Sequence, residues 1–424
     1  MYGPVHPVIL RALKSSLSVF IFLKMSLLDK LRDPAVWEKF YEYKSGLSCP
    51  GSYLKELRGF IDRAGYLPVC DTIDSGGVFP LPKKSVISKV GSEKKRTVYT
   101  YPDDENTTLK LLTHLLLRRY DGLFSPGLYS FRPGRTAKDA VRRLRRISRG
   151  MYSYKTDIHD YFNSIPLDRF IPLLRSVTGE DPRLFSFLSS LLLESRVTDR
   201  GRVTEEQKGI MAGTPLSAFY ANLYLSELDR HFDGVPYARY SDDIIVFAKD
   251  RNELDGHVEY INSALARAGL AVNPKKETYG EPDEGFVFLG FICSGGVTDI
   301  APVTVVKLKK KMRRKARSLV RWYNKTDSDP ERAAAAFIRV FNRKLLDDPQ
   351  DNELSWSRWF FSVINTDKSL HEIDLYAQDC IRYIISGSRK KTRFRVTYGD
   401  MKVLGYRSLV HEYYEMNGAA DTKV

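Results

Sequence analysis

Cysteine is scarce in this 424-residue sequence, and its four cysteines lie far apart. They are Cys49, Cys70, Cys293 and Cys380, and no two of them form a C-x-x-C pair. Neither a zinc site nor a disulfide framework is therefore indicated, and we expect a reducing, cytoplasmic location. Stability has to come from a packed core, for which the 43% of hydrophobic residues is sufficient.

A long uninterrupted apolar run is also missing. The most hydrophobic stretch, Ser16 to Leu28, is too short to span a bilayer and contains Lys24. No small-residue cleavage site follows it, so a secretory signal is not indicated either. We expect this stretch to pack as a helix on the body of the protein, with Met25 as a second candidate for the first residue. No membrane partner is expected.

Acidic residues are outnumbered, since 52 Asp and Glu stand against 67 Lys and Arg and the net charge is +15. The excess is clustered, because nine residues between Lys307 and Arg321 are basic and none is acidic. A second cluster extends from Val141 to Arg149. Clustered cations favour a polyanionic partner, most simply a nucleic acid, over a basic surface that is merely solvated.

The spacing of apolar residues changes along the chain. It is helical before a proline- and glycine-rich segment that begins near Pro68, and helices and strands then alternate from Ser130 to about Ile300. After Pro302 the sequence is helical and basic. We predict an α+β fold with three regions. They are a helical extension at 1–67, an α+β body at 68–300 and a basic helical region at 301–424.

Two carboxylates, Asp242 and Asp243, stand side by side within an otherwise apolar stretch. The flanking segments Tyr237–Tyr240 and Ile244–Phe247 are rich in strand-favouring residues, which predicts a β-hairpin with the pair at its turn. Adjacent like charges repel each other, and apolar surroundings strengthen the repulsion. A cation bound at the turn is the simplest reason for both acids to be there.

A third carboxylate, Asp157, falls at the end of the predicted strand Tyr154–Ile158, where it can point into a cleft. Three carboxylates offer the hard oxygen ligands that suit Mg²⁺. Two such ions about 3.5–4 Å apart clamp the attacking and leaving oxygens of a phosphoryl transfer. Taken singly, a strand-end cap and an exposed turn are the more ordinary explanations of these acids, so the neighbouring segments decide.

Six short motifs follow one another in the central part of the chain, over roughly residues 80–292. In chain order they are SFRPGR from Ser130, DIHDYF from Asp157, GIMAGTPLSAFYANLYL from Gly209, YSDD from Tyr240, GLAVNPKKE from Gly269 and FLGF from Phe288. The set and its order resemble the reverse transcriptases of the bacterial, group II intron-like lineage. Within that lineage the chain is most similar to the compact defence-associated enzymes of the abortive-infection and unknown groups.

This resemblance implies a right-hand polymerase fold, with fingers and palm built on an antiparallel sheet and helices, followed by a helical thumb. It implies an RNA-directed DNA polymerase that adds deoxynucleotides with two Mg²⁺ ions, for which Mn²⁺ can substitute. The implied partners are dNTPs, an RNA template, and the RNA–DNA hybrid and DNA product. For the compact group, the template is expected to be a companion structured non-coding RNA and the role antiphage defence.

The resemblance also assigns catalytic roles. Asp157 and Asp242 are expected to bind both metal ions, with Asp243 as the third carboxylate and the Ile158 carbonyl as a further ligand. Lys276 is expected to protonate the leaving pyrophosphate, although its neighbour Lys275 is an alternative.

Nucleotide-binding roles follow from the same comparison. Lys94 and Arg96 are expected to hold the triphosphate, with a solvent-facing basic strand as the alternative. Phe162 is expected to lie under the sugar and to exclude a 2′-hydroxyl, which selects deoxynucleotides, and a packed core ring is its alternative. Ala212 and Gly213 are expected beside the incoming nucleotide. The family usually has Gln at position 212, and Ala cannot hydrogen-bond. Altered selection or a rearranged pocket is therefore expected.

Nucleic-acid contacts are expected from three places. Arg132 and Arg135 should contact the template or hold the fingers on the palm, and Tyr240 should lie beside the bound strands. The thumb residues expected to neutralise phosphates are Lys309, Lys310, Arg313, Arg314 and Arg317. Tryptophans 322, 356 and 359 would stack on unpaired bases or belong to the thumb core.

Three alternatives remain open from the sequence. The same fold could support template-independent or protein-primed DNA synthesis, RNA synthesis, or non-catalytic RNA binding. Loss of a metal-binding carboxylate would mark the last of these, and no such residue is lost.

Overall fold

The computed structural model describes residues 25–88, 95–206, 209–282, 284–346 and 355–421. Its helices are α1 (Pro34–Ser45), α2 (Gly51–Asp62), α3 (Tyr66–Asp74), α4 (Asp103–Arg119), α5 (Ala137–Ile147), α6 (Tyr161–Ser164), α7 (Leu167–Thr178), α8 (Pro182–Leu193), α9 (Ser217–Tyr224), α10 (Ser226–His231), α11 (Arg251–Arg267), α12 (Pro302–Thr326), α13 (Pro330–Leu345), α14 (Trp356–Phe360), α15 (Lys368–Ser386), α16 (Tyr398–Val403) and α17 (Leu409–Asp421). Single 3-10 turns lie at Asp29–Arg32, Asp121–Leu123 and Lys391–Arg395.

Within the described part of the chain, the strands form three separate sheets. They are β1 (Lys83–Ser88), β2 (Lys95–Thr100), β3 (Tyr152–Asp157), β4 (Arg196–Asp199), β5 (Arg202–Glu205), β6 (Tyr237–Tyr240), β7 (Asp243–Ala248), β8 (Thr278–Gly280), β9 (Phe286–Phe288), β10 (Phe291–Ser294) and β11 (Val297–Ile300). The finger sheet has the order β2-β1-β4-β5, the palm sheet β6-β7-β3-β8, and a small third sheet β11-β10-β9.

The palm sheet contains the predicted hairpin. Strands β6 and β7 pair antiparallel with Tyr240 opposite Asp243, and β3 pairs on the other side of β7 with Asp157 opposite Asp243. Alternate residues of β7 and β3 face a core of helices, in which Tyr154, Ile244 and Val246 are fully buried. This register fixes the ends of the two strands that carry the acidic residues.

The N-terminal helices share that core. Helix α1 begins at Pro34 after Asp33, whose side chain accepts the Ala35 N–H as an N-cap. The fully buried Trp37 stacks on Tyr66 with ring centroids 5.0 Å apart, and both belong to the cluster that contains the leucines of α4. The predicted division at residue 67 falls inside α3, and the division at 300 falls just before α12. The division of the chain into these three regions remains a prediction.

The thumb is a helical bundle around α12. This 25-residue helix begins with Pro302 and buries a stripe at helical spacing that includes Val305, Met312, Ala316 and Leu319. It packs against α13 and α15. The structure thus has the predicted α+β architecture, in which a palm sheet and a finger sheet precede a helical thumb.

A buried carboxylate attaches the last helix of the thumb. Asp374 of α15 is 4% exposed and accepts hydrogen bonds from the Tyr406 and Ser408 hydroxyls at 2.7 and 2.6 Å. It also accepts the Leu409 and Val410 N–H groups at 3.0 and 3.1 Å. Those two amides are orphan donors at the start of α17, so Asp374 acts as a cap supplied by another helix.

The second basic cluster has an intramolecular role that its sequence did not indicate. In α5, Lys138 donates to the Arg358 carbonyl at 2.7 Å and Arg142 donates to the Ser362 carbonyl at 2.6 Å. Arg143 donates to the Tyr237 carbonyl at 3.0 Å. Two arginines of the cluster, Arg142 and Arg143, therefore bind carbonyls within the protein, and Lys138 just before the cluster does the same.

Among the residues that the structure describes, no helix is both long and apolar enough to cross a membrane. Most of the hydrophobic stretch Ser16–Leu28 lies outside the described residues, so its predicted packing is not assessed, but Leu27 and Leu28 are buried.

Candidate active site

Three carboxylates meet at one end of the palm sheet. Asp157 is the last residue of β3, Asp243 is the first residue of β7, and Asp242 lies in the turn before it. One carboxylate oxygen from each residue lies within 4.8 Å of the other two. The structure thus brings the three predicted acids together, while their predicted role as metal ligands remains to be tested.

The electrostatics of the cluster favour a bound cation. Burial, together with the charges of Asp157 and Asp243, raises the pKa of Asp242 from 3.8 to about 6. The Lys276 ammonium contacts the Asp157 carboxylate, but it is a single charge on a half-exposed side chain beside three acids. Three convergent hard oxygen donors with excess negative charge fit a divalent ion such as Mg²⁺.

A short strand-like segment holds Asp157 and Lys276 in position. The Asn273 N–H donates to the Asp157 carbonyl at 2.7 Å, and the His159 N–H donates to the Ala271 carbonyl at 2.9 Å. Lys276 follows in a turn whose N–H donates back to the Asn273 carbonyl at 2.9 Å. The NPKK motif therefore brings its second lysine to the acidic cluster, and of the two lysines considered, Lys276 is the one at the site.

Ile158 connects the two acidic segments through its backbone. Its N–H donates to the Asp242 carbonyl at 2.9 Å, and its side chain is 1% exposed. This bond fixes the Asp242 backbone relative to the end of β3. The predicted use of the Ile158 carbonyl as a metal ligand remains a prediction.

The turn that carries Asp242 is strained. Ser241 has φ +59°, a left-handed conformation that few residues other than glycine adopt. A donor from the preceding strand holds it, because Arg239 Nη1 donates to the Ser241 carbonyl at 3.1 Å. The conformation of the turn that carries Asp242 is therefore stabilised by a buried guanidinium.

Arg239 itself is part of a fully buried polar network. It forms a two-point ion pair with Asp229, with Nε–Oδ1 at 2.7 Å and Nη2–Oδ2 at 2.5 Å, and both side chains are 0% exposed. Nη2 also donates to the Asn222 carbonyl at 3.3 Å, and the Tyr237 hydroxyl donates to Asp229 at 2.7 Å. A buried ion pair is stable only when such additional hydrogen bonds satisfy it, as they do here.

The same network extends to the SFRPGR segment. Asn222 exchanges two hydrogen bonds with Ser130, at 3.0 and 2.8 Å, and the Tyr129 N–H donates to the Arg239 carbonyl at 3.0 Å. Three motifs that are far apart in the sequence are thus joined behind the active site. Sequence reasoning missed Arg239, Asp229 and Asn222. A charged residue inside an apolar strand, immediately before YSDD, was the available signal.

Phe162 and Ala212 belong to adjoining segments. The Ile210 N–H donates to the Phe162 carbonyl at 2.7 Å, and the Gly209 N–H donates to the Asn163 carbonyl at 3.1 Å. A Cβ on Gly209 would lie 2.7 Å from the Phe162 carbonyl oxygen, so glycine is required for this approach. Phe162 is half-buried and its backbone is firmly held, as a steric filter would need.

The Ala212–Gly213 pair connects the palm to the fingers. The Tyr99 N–H of β2 donates to the Ala212 carbonyl at 2.9 Å. Gly213 has φ +102°, and a Cβ there would lie 3.0 Å from the Tyr99 carbonyl oxygen. Ala212 is buried, so the position that usually carries Gln in the family contributes only backbone groups here and no side-chain amide. Their contact with an incoming nucleotide remains a prediction.

The two arginines of SFRPGR act within the protein. Arg132 is buried and donates to the Asp121 carboxylate at 2.8 and 2.9 Å and to the Ser125 carbonyl at 2.6 Å. Of its two expected roles, bracing fits and template contact does not, because the guanidinium is inaccessible. Arg135 donates to the Pro126 carbonyl at 2.8 Å and covers the Tyr129 ring, which also fits a brace.

The remaining predicted residues lie on the finger sheet, the hairpin turn and α12. Arg96 is exposed on β2, and Tyr240 is half-buried at the start of the turn that carries Asp242. Lys94 lies outside the described residues. Four thumb cations are exposed on α12, namely Lys310, Arg313, Arg314 and Arg317. Lys309 differs from them, because its ammonium contacts Glu372 of α15 and covers the Tyr376 ring at 5.2 Å. Lys309 is therefore a thumb-internal contact.

The raised pKa of Asp242 predicts a stability change on neutralising this residue. Because the folded state holds the proton more tightly than the unfolded state, metal-free stability should fall as pH rises from about 4 to about 6. Asp242→Asn removes the ionisable carboxyl and therefore also this loss of stability at higher pH. In EDTA at pH 7.5 we expect its free energy of unfolding to exceed that of the wild type by about 1–2 kcal/mol, with the gap closing near pH 4. Urea denaturation measures both values.

Bound Mg²⁺ should stabilise the ionised acidic cluster, whereas ionisation without metal destabilises it. Mg²⁺ should raise the melting temperature of the wild type, because it binds the folded state, and should raise that of Asp242→Asn much less. Asp160→Asn is the matched control, since Asp160 is exposed and three residues from Asp157 but not part of the cluster. A Mg²⁺ shift of equal size in wild type and Asp242→Asn would contradict the metal site.

The hydrogen bond from Arg239 to Ser241 predicts that Arg239 positions the turn that carries Asp242. Arg239→Lys keeps a positive charge beside Asp229 but lacks the planar fork that also reaches Ser241. We expect kcat for nucleotide addition to fall about 10–100-fold and the Mg²⁺ requirement to rise, with a smaller change in KM for the nucleotide.

Arg132→Lys provides the control, because Arg132 is a second buried arginine with a two-point carboxylate partner. It should lower the melting temperature without changing the Mg²⁺ requirement. If Arg239→Lys lowers stability alone, with the kcat of the folded fraction unchanged, Arg239 has only a structural role.

Comparison with known proteins places this geometry in a family. A family model described as reverse transcriptase (RNA-dependent DNA polymerase) matches residues 81–293, which is half of the chain. An uncharacterized 91 kDa protein in the cob intron of Schizosaccharomyces pombe is 28% identical over 154 residues. The match covers 36% of this chain and 19% of that protein, so the chain matches about a fifth of its curated relative's length.

Two solved telomerase structures are also similar, each with a TM-score of 0.43. One is apo telomerase from Candida tropicalis truncated from its C-terminal domain, at 13% identity, covering 53% of this chain and 55% of that one. The other is telomerase from Candida albicans in complex with a TWJ fragment of telomeric RNA, at 12% identity, covering 77% and 65%. At a TM-score below 0.5, neither similarity supports a conclusion about the function of this chain.

The matched region contains the acidic cluster, Lys276, Phe162 and the Arg239 network, so the family assignment and the site geometry coincide. The expected subgroup of compact defence-associated enzymes is narrower than these matches and stays a prediction. The chain belongs to the reverse transcriptase family, the RNA-dependent DNA polymerases.

Proposed function

We propose that this chain copies RNA into DNA with divalent metal ions held by Asp157, Asp242 and Asp243. The observation that carries the proposal is the convergence of these three carboxylates to within 4.8 Å, inside the region that matches the family. Burial, together with the charges of Asp157 and Asp243, raises the pKa of Asp242, so the ionised cluster is a costly arrangement without a cation. Two Mg²⁺ ions are the proposed occupants, with Mn²⁺ as a substitute.

When bound, such ions activate the primer 3′-hydroxyl and neutralise charge on the triphosphate. The residues of this chain supply the remainder. The backbone bonds of Ile158 and Asn273 fix the acids relative to each other, and Arg239 fixes the turn. Lys276 holds a proton on Nζ at the edge of the cluster, from which it can be donated to the leaving pyrophosphate.

The substrates follow from the surroundings of the cluster. The half-buried Phe162 ring is the proposed filter that excludes a ribose 2′-hydroxyl, and Arg96, with Lys94, is the proposed triphosphate contact. The exposed cations of α12, Lys310, Arg313, Arg314 and Arg317, are the proposed contacts to the backbone of the RNA–DNA hybrid. An RNA template is supported by the family description.

The expectations about the natural template, the biological role and the location rest only on the resemblance to compact defence-associated enzymes. A companion structured non-coding RNA, a role in antiphage defence and a cytoplasmic location are predictions of that resemblance. Recovering and sequencing the RNA and DNA that co-purify with the protein from its native host would identify the template and the product.

A primer-extension assay tests the polymerase proposal. The wild type should extend a primer on an RNA template with dNTPs and Mg²⁺, and Asp242→Asn plus Asp243→Asn should abolish extension because the metal ligands are lost. Asp160→Asn, a nearby exposed acid, should retain it. Equal extension by wild type and the double variant would falsify the metal-site assignment.

The same assay distinguishes the rival functions. Extension without template, or product that stays bound to protein after denaturation and is released by protease, would replace the proposal with template-independent or protein-primed synthesis. Failure of the wild type on every primer, template and metal would favour a non-catalytic RNA-binding protein.

The proposed position of the Phe162 ring beneath the sugar predicts that it determines the choice between deoxy- and ribonucleotides. Phe162→Ala removes the ring from beneath the sugar, so the ratio of kcat/KM for dNTP over rNTP should fall about 10–100-fold. The ratio is its own control, because general damage to the site lowers both values together. An unchanged ratio in an active variant would assign Phe162 to the core instead.

A further inference from the structure

A groove runs along one flank of α12 in the thumb. It has a volume of about 880 Å³ and lies between α12, α13 and α14. Its floor is apolar and includes Met312, Phe341 and Phe360. A groove of this size admits single nucleotides or a short strand but not a double helix.

The charge of the groove has one sign. Among the described residues that line it, none is acidic and six are basic, namely Lys307, Lys311, Arg314, Lys315, Arg321 and Lys344. Five of the six come from α12, and Lys344 comes from α13 across the groove. Cations on both walls above an apolar floor are complementary to a chain of phosphates that carries apolar bases.

Two tryptophans of α14 complete the wall. Trp356 and Trp359 are half-buried and line the groove. The Trp356 ring packs on Phe360 with centroids 4.6 Å apart, and Trp359 stacks on Phe291 at 6.5 Å. Their orientations are therefore fixed by the core, which is the condition for a stacking platform with little entropic cost.

Five of the six groove cations differ from those proposed to hold the hybrid, and Arg314 borders both surfaces. At 100° per residue, Lys311 and Lys315 lie on the flank of α12 that faces α13 and α14. Arg313 and Arg317 lie on the opposite flank, beside Tyr376 of α15. The helix thus presents two basic surfaces in different directions, and Trp356 and Trp359 line the groove side.

We propose that this groove binds an unpaired segment of nucleic acid, with bases stacked on Trp356 and Trp359 and phosphates on the surrounding lysines and arginines. The proposal rests on the proposed function only in taking a nucleic-acid partner for the thumb. The favoured source is single-stranded RNA that adjoins the copied region. The groove would then guide unpaired template separately from the hybrid.

Two charge-reversal variants form a matched test. Lys311→Glu plus Lys315→Glu alters the groove flank, and Arg313→Glu plus Arg317→Glu alters the other flank of the same helix by the same charge. All four side chains are exposed, so both variants should fold, as circular dichroism and melting temperature will check. The probes are fluorescent oligouridine and oligothymidine of about 12 nucleotides and an RNA–DNA hybrid of similar length.

The groove variant should lose at least about tenfold affinity for oligouridine, measured by fluorescence anisotropy. The slope of log K against log salt should fall by about 1.4, as expected for two lost phosphate contacts on a single strand. Its affinity for the hybrid should change little, whereas the other variant should lose hybrid binding and keep oligouridine. Tighter binding of oligouridine than oligothymidine identifies RNA as the source, and the reverse identifies product DNA.

A second measurement locates the bases. Photocrosslinking of 5-iodouridine-labelled RNA should yield adducts on Trp356 or Trp359, and the groove variant should reduce their yield. Equal loss of both ligands in both variants, or unchanged oligouridine binding and crosslinking in the groove variant, would overturn the proposal. Binding needs no catalysis, so these outcomes are independent of whether the chain extends primers.

Discussion

Electrostatic repulsion among three carboxylates is the constraint around which the palm is arranged. Asp157 and Asp243 are opposite each other across β3 and β7, and Asp242 lies in the adjoining turn. Strand pairing fixes this proximity, because a shift of one residue would move one of the acids to the other face of the sheet. The raised pKa of Asp242 reflects both its burial and the charges of Asp157 and Asp243, and the proposed metal ions would offset that cost.

The ion pair behind the acidic cluster has no net charge. Arg239 and Asp229 neutralise each other in a fully buried pair, and Arg239 still supplies a rigidly held donor to the turn. Replacing such a pair by apolar residues often preserves stability, so stability alone does not explain its presence. Its bond to the strained Ser241 gives it a specific task, which an apolar replacement could not perform.

The fold and the acidic cluster could be predicted from the sequence, because both depend on local patterns. The hairpin at Tyr240–Asp243 follows from strand propensity and turn position, and the order of motifs identifies the palm. Residues whose role depends on burial could not be predicted. Arg132 and Lys309 look like surface cations in the sequence, yet Arg132 braces a loop and Lys309 contacts Glu372. A basic residue's partner is set by tertiary packing, which composition does not encode.

The same limit explains Arg239 and the cluster in α5. In the sequence, Arg239 is one arginine between tyrosines, and its importance appears only when α9, α10 and the 127–130 segment converge on it. The arginines of α5 suggested a nucleic-acid surface, but Arg142 and Arg143 donate to backbone carbonyls of neighbouring elements. Charge clustering therefore overestimated the surface that α5 contributes, and the nucleic-acid contacts expected of α12 stay a prediction.

The cap that Asp374 provides has a consequence for how the thumb unfolds. Helix α15 packs on α12 through one face and holds the first amides of α17 with its carboxylate. If α17 detached together with the segment from Tyr406 that leads into it, a buried carboxylate would lose four donors at once, which is far less favourable than fraying at a solvated helix end. We therefore expect α17 to open together with the contacts of α15 rather than by itself.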